Sequence, residues 1–314
     1  MRTPPLVVAG EALVDIVVPR DGDVTEAVGG SPMNVAVGVA RLGVPALLIT
    51  RVGDDPRGQL VLEHVRSSGV EVSAESVVPG GRTSTATARL DEHGAATYEF
   101  DLAWDLPNQE LPEAMGLHIG SLGASLAPGR GAVLDLVRQA ADRDMFVSYD
   151  PNIRPSLVAD IDTTWAHVRE LASLCHLVKL SDEDAVALLP GTSYENVALA
   201  LLEGSRTELV IVTLGAGGAV AVGRRHTVSV APSARVPVVD TVGAGDSFMA
   251  AALASLEARG RLNGSGPLTG MDEAEHSSLL ADAIAAAGVT CSRRGANPPT
   301  RQELPQGWPG QVLS

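Results

Sequence analysis

The sequence predicts an α/β fold, a doubly wound and mostly parallel sheet with a small β hairpin projecting from it, and three observations lead there. Short apolar runs bounded by turn residues alternate with segments whose apolar residues recur at helical spacing. Two glycine loops, Gly29-Gly30-Ser31-Pro32-Met33-Asn34 and Thr241-Val242-Gly243-Ala244-Gly245-Asp246, stand where a helix begins. Two segments that alternate in part, 83–90 and 95–100, interrupt the rhythm with Asp91-Glu92-His93-Gly94 as the turn, and so predict a hairpin projecting from the main sheet. A chain of 314 residues fits one large domain, 1–314, or one domain plus a small appendage.

Composition narrows the function. The chain is 45% apolar but only 3% aromatic, so Val, Leu and Ala must fill most of the core. A net charge of −15 speaks against nucleic acid or an anionic membrane as the main partner. Anionic ligands stay open, because phosphate sites are built locally from N–H groups. Cys175 and Cys291 lack metal-ligand spacing and read as reduced thiols. The apolar run 6–18 is broken by Glu11 and Asp15, unlike a signal peptide, and no run is long enough to span a bilayer. The expected location is the cytoplasm.

Leu6-Val7-Val8-Ala9-Gly10 reads as a buried first strand, and 13–18 continues or pairs with it. Asp15 sits inside that apolar stretch, either facing solvent or accepting hydrogen bonds from a ligand's hydroxyls at the sheet's ligand edge. Ser31 is a good N-cap and Pro32 a good first helical residue. Met33, Ala36, Val37 and Ala40 mark one helix face that Gly43 ends. Asn34, in the first turn beside two glycines, is placed to reach a ligand. A strand lies within 44–52, a helix near 57–68 stops at Gly69, and Tyr98 and Phe100 either line a ligand pocket or pack the hairpin. Trp104 reads as packing.

From residue 117 the rhythm resumes, with strands at 117–122, 145–149, 175–180, 208–213 and 219–222, and helices at 129–143 and 281–289. Ligands of open α/β sheets gather at the C-terminal ends of the strands, where Asp150, Asn152 and Arg154 fall. Three acids, Asp182, Glu183 and Asp184, open a helix and suit its dipole. Residues 264–275 look like a loop, and the tail after Pro305 looks dispensable to catalysis.

The run 236–239 enters the second glycine loop, and the helical run 249–259 leaves it, stopped by Gly260. Small residues let ligand oxygens approach the backbone, and the free N–H groups of a first helical turn form an anion site. Asp246 would repel a phosphate at that spot, so it needs a role of its own: either capping the helix or accepting a proton from an attacking hydroxyl.

The stretch Asp240-Thr241-Val242-Gly243-Ala244-Gly245-Asp246-Ser247-Phe248 closely resembles the C-terminal signature of the ribokinase-like (PfkB) sugar kinases. Gly-Gly-x-x-x-Asn at 29–34, Arg-Val-Gly-Asp-Asp-x-x-Gly at 51–58, Thr-Leu-Gly-x-x-Gly at 213–218 and the segment 292–298 are similar to further family motifs in family order, so the resemblance covers nearly the whole chain. Asp-Pro-Asn-x-Arg at 150–154 resembles the fructokinase and 2-keto-3-deoxygluconate kinase branch. The resemblance implies ATP-dependent phosphorylation of a sugar hydroxyl, with Asp246 as base and the N–H groups of Gly243, Ala244 and Gly245 stabilising the transferring phosphoryl group. It implies sugar contacts from Asp15, Gly29, Gly30, Asn34, Tyr98, Phe100, Asp150, Asn152 and Arg154. Nucleotide contacts fall to Lys179, Ser181, Thr213, Gly215 and Gly218, and Asp184 positions Mg2+ through water. It is one methylene shorter than the family's usual Glu. Asp240 and the Val242 carbonyl would bind a monovalent cation, K+, although Pro299 stands where some members place a side-chain ligand. The resemblance also implies a small β-sheet lid over the sugar, from segments at roughly 10–30 and 82–106, and a homodimer through that lid; the expected partners are a small sugar and ATP, with no nucleic acid or membrane.

Fructose, giving fructose 6-phosphate, is the expected substrate. 2-Keto-3-deoxygluconate is the rival and would want more cations in the lid than Arg82 and Arg89. A nicotinamide oxidoreductase would need Gly-x-Gly-x-x-Gly after the first strand, and Gly10-Glu11-Ala12 fails that test. A non-catalytic sugar sensor on the same fold would be expected to lack Asp246 or the loop glycines, and both are present.

Overall fold

The computed structural model describes residues 3–310 apart from 21, 91–95, 158–159, 234–235, 263–267 and 269. The hairpin turn at 91–94 therefore lies outside the described residues. The main sheet contains β1 (Leu6–Ala9), β4 (Ala46–Ile49), β6 (Glu71–Val72), β10 (Gly116–Gly120), β11 (Phe146–Asp150), β12 (Leu177–Ser181), β13 (Leu209–Thr213), β14 (Ala219–Gly223) and β15 (Thr227–Val230). Their order is β15-β14-β13-β12-β11-β10-β1-β4-β6. All neighbours from β13 to β6 run parallel, and β14 and β15 are antiparallel. From β1 the chain moves outward to β4 and β6, then returns to β10 on the other side of β1. The switch point between β1 and β10 opens a crevice at the C-terminal strand ends.

The strands read as near-continuous apolar runs because helices cover both faces. One core contains Leu6, Val8, Val37 and Leu48, with Met249 and Leu253 from a long C-terminal helix. The other contains Val7, Ile119, Val147 and Val178 with helices on the opposite face. The helices are α1 (Ser31–Arg41), α2 (Pro56–Ser67), α3 (Ser121–Ser125), α4 (Gly129–Asp142), α5 (Ile161–Ala172), α6 (Asp182–Leu188), α7 (Tyr194–Leu202), α8 (Ala244–Ala258) and α9 (Glu273–Cys291).

A separate four-stranded sheet has the order β3-β2-β8-β9, from β2 (Leu13–Val18), β3 (Thr25–Gly29), β8 (Thr85–Leu90) and β9 (Ala96–Asp101). The segment 13–18 thus leaves β1 altogether: it pairs antiparallel with β3 and parallel with β8. A short pair, β5 (Val52–Gly53) with β7 (Val77–Val78), lies beside it. α9 starts well before the helix read at 281–289, within the stretch read as loop. Asp272 accepts from the Glu275 N–H, and Glu275 bonds back to Asp272 as a capping box. α5 and α7 are capped by Asp160 and Ser193, whose side chains accept the N–H groups of Thr163 and Asn196. No helix among the described residues is long and apolar enough to cross a membrane.

Candidate active site

α8 begins at a glycine because nothing else fits. Gly243, its N-cap, has φ +75°, and a Cβ there would fall 2.6 Å from the Ala296 Cβ. The Ala244 N–H turns back to the Thr241 carbonyl at 3.2 Å, and the Ser247 N–H reaches Gly243 O at 2.9 Å. Among the described residues, the N–H groups of Gly243, Gly245 and Asp246 find no acceptor. Of the three donors expected from the sequence, Ala244 is therefore engaged in closing the turn, and Asp246 offers its own N–H instead. The result is an anion site at the N-terminus of a 15-residue helix.

The Asp246 side chain does not cap that helix. It is 8% exposed and is held from α1: Ser31 Oγ–H donates to Oδ1 at 2.6 Å, and Asn34 Nδ2–H donates to Oδ2 at 2.8 Å. Ser31 was expected as N-cap of α1, but that position belongs to Gly30, which frees the Ser31 hydroxyl. Asn34, expected on the sugar, gives an amide N–H to Asp246. The two helices meet closely because their contact residues are small; a Cβ on Gly38 would lie 2.6 Å from the Ala250 Cβ. An ionised carboxylate needs such donors when buried.

Beside it, the strand ends bring further charges together. Asp15 is half-buried on β2 facing Gly29, where a Cβ would fall 2.1 Å from Asp15 Oδ2. Burial raises the Asp15 pKa, against the pull of the Arg154 charge. Arg154 is exposed and bonds to Asn152, whose φ is +40°. Asp150, buried at the end of β11, places Oδ2 2.8 Å from Lys179 Nζ, while Oδ1 has no partner. Burial pushes the Asp150 carboxyl up to about 6, with Lys179 opposing.

Glu11 escaped functional notice in the sequence. Only its position, an acid directly after a buried strand on the ligand edge, signals it. It is 4% exposed and accepts the Gly123 N–H at 2.7 Å. Burial raises its pKa from 4.5 to about 7, against bonds from Gly123 and Ser121 and the charge of Arg154.

Ser181 caps α6 by accepting the Asp184 N–H. Asp184 returns Oδ2 to the Ser181 N–H at 2.8 Å and takes the Ile153 N–H on Oδ1 at 2.7 Å. It thereby staples the Asn152–Arg154 turn to α6. Among the described residues no three His, Cys, Asp or Glu side chains cluster as metal ligands. Thr213 ends β13, Gly215 lies in the turn 215–217, and Gly218 leads into β14. Asp240 accepts N–H groups from Gly295 at 2.8 Å and Val242 at 3.0 Å, which lower its pKa and tie the two loops together. Val236, Val238, Val239 and Val242 leave apolar side chains exposed beside the anion loop.

Phe100 is half-buried on β9, the backbone of Tyr98 is on the same strand, and the Tyr98 side chain lies outside the described residues. Trp104 is buried and donates its indole N–H to Gly123 O at 3.0 Å, as packing requires.

The chain is similar to known proteins over most of its length. It is 37% identical to a fructokinase of Klebsiella pneumoniae over 264 residues, covering 81% of this chain and 84% of that protein. It is 33% identical to the fructokinase of Escherichia coli over 308 residues, covering 95% and 97%. Among solved structures, the fructokinase of Xylella fastidiosa with bound ATP superposes with a TM-score of 0.80 at 25% identity, covering 96% of this chain and 95% of that one. The fructokinase of Vibrio cholerae O395 in its fructose, ADP and calcium ion bound form gives 0.78 at 27% identity, covering 94% of each. The sequence profile described as pfkB family carbohydrate kinase matches residues 5–303, and with a carboxylate set against free N–H groups at a helix N-terminus, the chain belongs to that family.

Proposed function

We propose that this carbohydrate kinase phosphorylates fructose at the 6-hydroxyl, with ATP as donor. The observation that carries the reading is the Asp246 carboxylate, oriented by Ser31 and Asn34 and set beside the unpaired N–H groups of the α8 N-terminus. Asp246 takes the proton of the attacking hydroxyl. The N–H groups of Gly243, Gly245 and Asp246 receive charge on the γ-phosphoryl oxygens. Phosphoryl transfer has a loose transition state, so the fixed position of the carboxylate matters more than its base strength.

Fructose is favoured over 2-keto-3-deoxygluconate by charge. Lys179 is taken up by Asp150, and the charge of Arg154 is already shared with Glu11 and Asp15, so among the described residues a substrate carboxylate finds little free positive charge there. The fructokinase relatives point the same way. Asp15, Gly29, Gly30, Asp150, Asn152 and Arg154 form the sugar side, with Phe100 and Tyr98 on the sheet that covers it. Thr213, Gly215, Gly218 and Ser181 face the nucleotide.

The free N–H groups fit the phosphates of ATP, and Asp184 would hold magnesium through water. When bound, it supplies charge neutralisation. Asp240 and the Val242 carbonyl form the potassium position. The protein acts in the cytoplasm as a homodimer joined through its small sheet, which closes over the sugar and excludes water.

The test is ATP-dependent ADP release on fructose, 2-keto-3-deoxygluconate, ribose, adenosine and fructose 6-phosphate, with and without potassium, for the wild type and Asp246→Asn. The expected outcome is turnover on fructose, a loss of about 10²–10⁴-fold in Asp246→Asn, and ATP binding nearly unchanged. Near-normal turnover in that variant removes Asp246 from the base position, and turnover on another sugar alone replaces the substrate.

A further inference from the structure

Lys179 is the one cation packed inside this ring of acids among the described residues. It is 4% exposed and sits on β12 next to Asp150 of β11. Its ammonium lies 2.8 Å from Asp150 Oδ2, and a methyl group added at Gly245 would fall 3.1 Å from the same Nζ. The first turn of α8 therefore rests directly on the ammonium. Asp150, Asp184 and Asp246 all act on that charge. His118, two strands away on β10, bonds to Ser148 of β11 and is kept neutral by burial and by the Lys179 charge. The groups facing Lys179 are thus three carboxylates, a neutral imidazole and the backbone of the anion loop.

We propose that Lys179 is a positioning residue for phosphoryl transfer, whose ammonium spans from Asp150 on the sheet to the first turn of α8 and fixes the height of the anion loop and of Asp246 above the strand ends. A nucleotide contact, the role its sequence position suggested, needs an accessible ammonium, and this one is enclosed. An isolated buried lysine sheds its charge, but three surrounding acids keep this one protonated. A charged, well-hydrated group is an improbable filler unless its charge is used, since burying it against Asp150 costs desolvation on both sides. Gly245 fits the same picture: a side chain there strikes Nζ, so the glycine permits the contact as well as the approach of a phosphate.

The inference rests on the reading of the 243–246 loop as the transfer site, and the two fail separately. Asp246→Asn tests that reading; Lys179→Met tests this one. In Lys179→Met, kcat on fructose with ATP falls about 100-fold, the scale of a misplaced reacting group. The KM values for both substrates stay within about threefold. Gly245→Ala supplies the second arm. In the wild-type background it pushes on the ammonium; in the Lys179→Met background that charge is gone and the thioether tip yields, so the same substitution costs at least about tenfold less in kcat. Lys179→Gln, which keeps an N–H donor for Asp150, replaces the Met variant if that one does not fold. A purely structural Lys179 gives a different pattern: a lowered melting temperature, kcat per ATP-binding site within threefold of wild type, and additive effects in the cycle with Gly245→Ala. Either of the last two results overturns the proposal.

Discussion

Asp246 and Ser31 are 215 residues apart in the chain, and their side-chain oxygens are 2.6 Å apart in the fold. Two donors hold the two carboxylate oxygens, and each has its own consequence. With Ser31→Ala, Oδ1 loses its bond while Asn34 still holds Oδ2, so the carboxylate stays in place but gains rotational freedom. A hydrogen bond to a charged group contributes about 1.5–3 kcal/mol. Losing the orientation it gives should lower kcat about tenfold, with both KM values within about twofold, as steady-state kinetics on fructose would measure. An unchanged kcat would mean that the bond seen here opens when substrates bind. Local pattern identified Ser31 only as a helix start, because a contact across 215 residues leaves no periodic mark in the sequence.

At the scale of elements, α8 and α9 are joined by the tail that follows Pro305. Arg259, at the C-terminus of α8, donates to Asp282 of α9 at 3.0 Å and to Gly310 O at 2.8 Å. The Trp308 indole N–H donates to Asp282 O at 3.1 Å, and the Gly310 N–H donates to Asp282 Oδ1 at 2.8 Å. Trp308 is 8% exposed. Truncation after Pro305 empties that site and removes the bonds that Asp282 and Arg259 make to the tail, so a loss of about 3–5 kcal/mol is expected. Denaturant unfolding reads it, while kcat at low temperature should stay near wild type, because the tail lies at the end of α8 opposite Asp246. The sequence reads this tail as dispensable to catalysis and shows nothing of its packing, because its partners are all distant. It marked the inner strands β1, β10, β11, β12 and β13 and both glycine loops, because a buried parallel strand and a strand-to-helix turn each carry their cause in adjacent residues. It missed the start of α9, although Asp272 and Glu275 form a capping box, because the polar run before them masked it. It attached 13–18 to β1 because apolar runs alike in length do not say which sheet they join.

For the whole molecule, the ligand edge gathers buried acids whose protons set how stability changes with pH. Glu11 offers the clearest case, since its pKa rises from 4.5 to about 7 by burial. Below pH 4.5 it is protonated in both folded and unfolded chains and contributes no difference. Between 4.5 and 7 the unfolded chain ionises while the folded one keeps its proton, so stability falls as pH rises; above 7 the loss is complete. A shift of this size corresponds to about 3 kcal/mol. Glu11→Gln removes the proton but leaves a carbonyl oxygen to accept the Gly123 N–H. Its stability relative to wild type should therefore be near zero at pH 4.5 and grow to about 3 kcal/mol in its favour at pH 8, as denaturant midpoints at the two pH values would record. Other groups do not obscure the comparison. His118, lowered to about 3 by burial and by Lys179, loses stability in the opposite sense, as pH falls below 6.5. The net charge of −15 adds repulsion at every pH above the carboxylate range. Both occur equally in wild type and variant and cancel in the difference, apart from the single charge at position 11. A difference that stays flat from pH 5 to 8 would mean that Glu11 is already ionised in the folded protein, balanced by Arg154. The sugar side would then be more negative at neutral pH than its burial suggests, and the bias against a carboxylated substrate stronger.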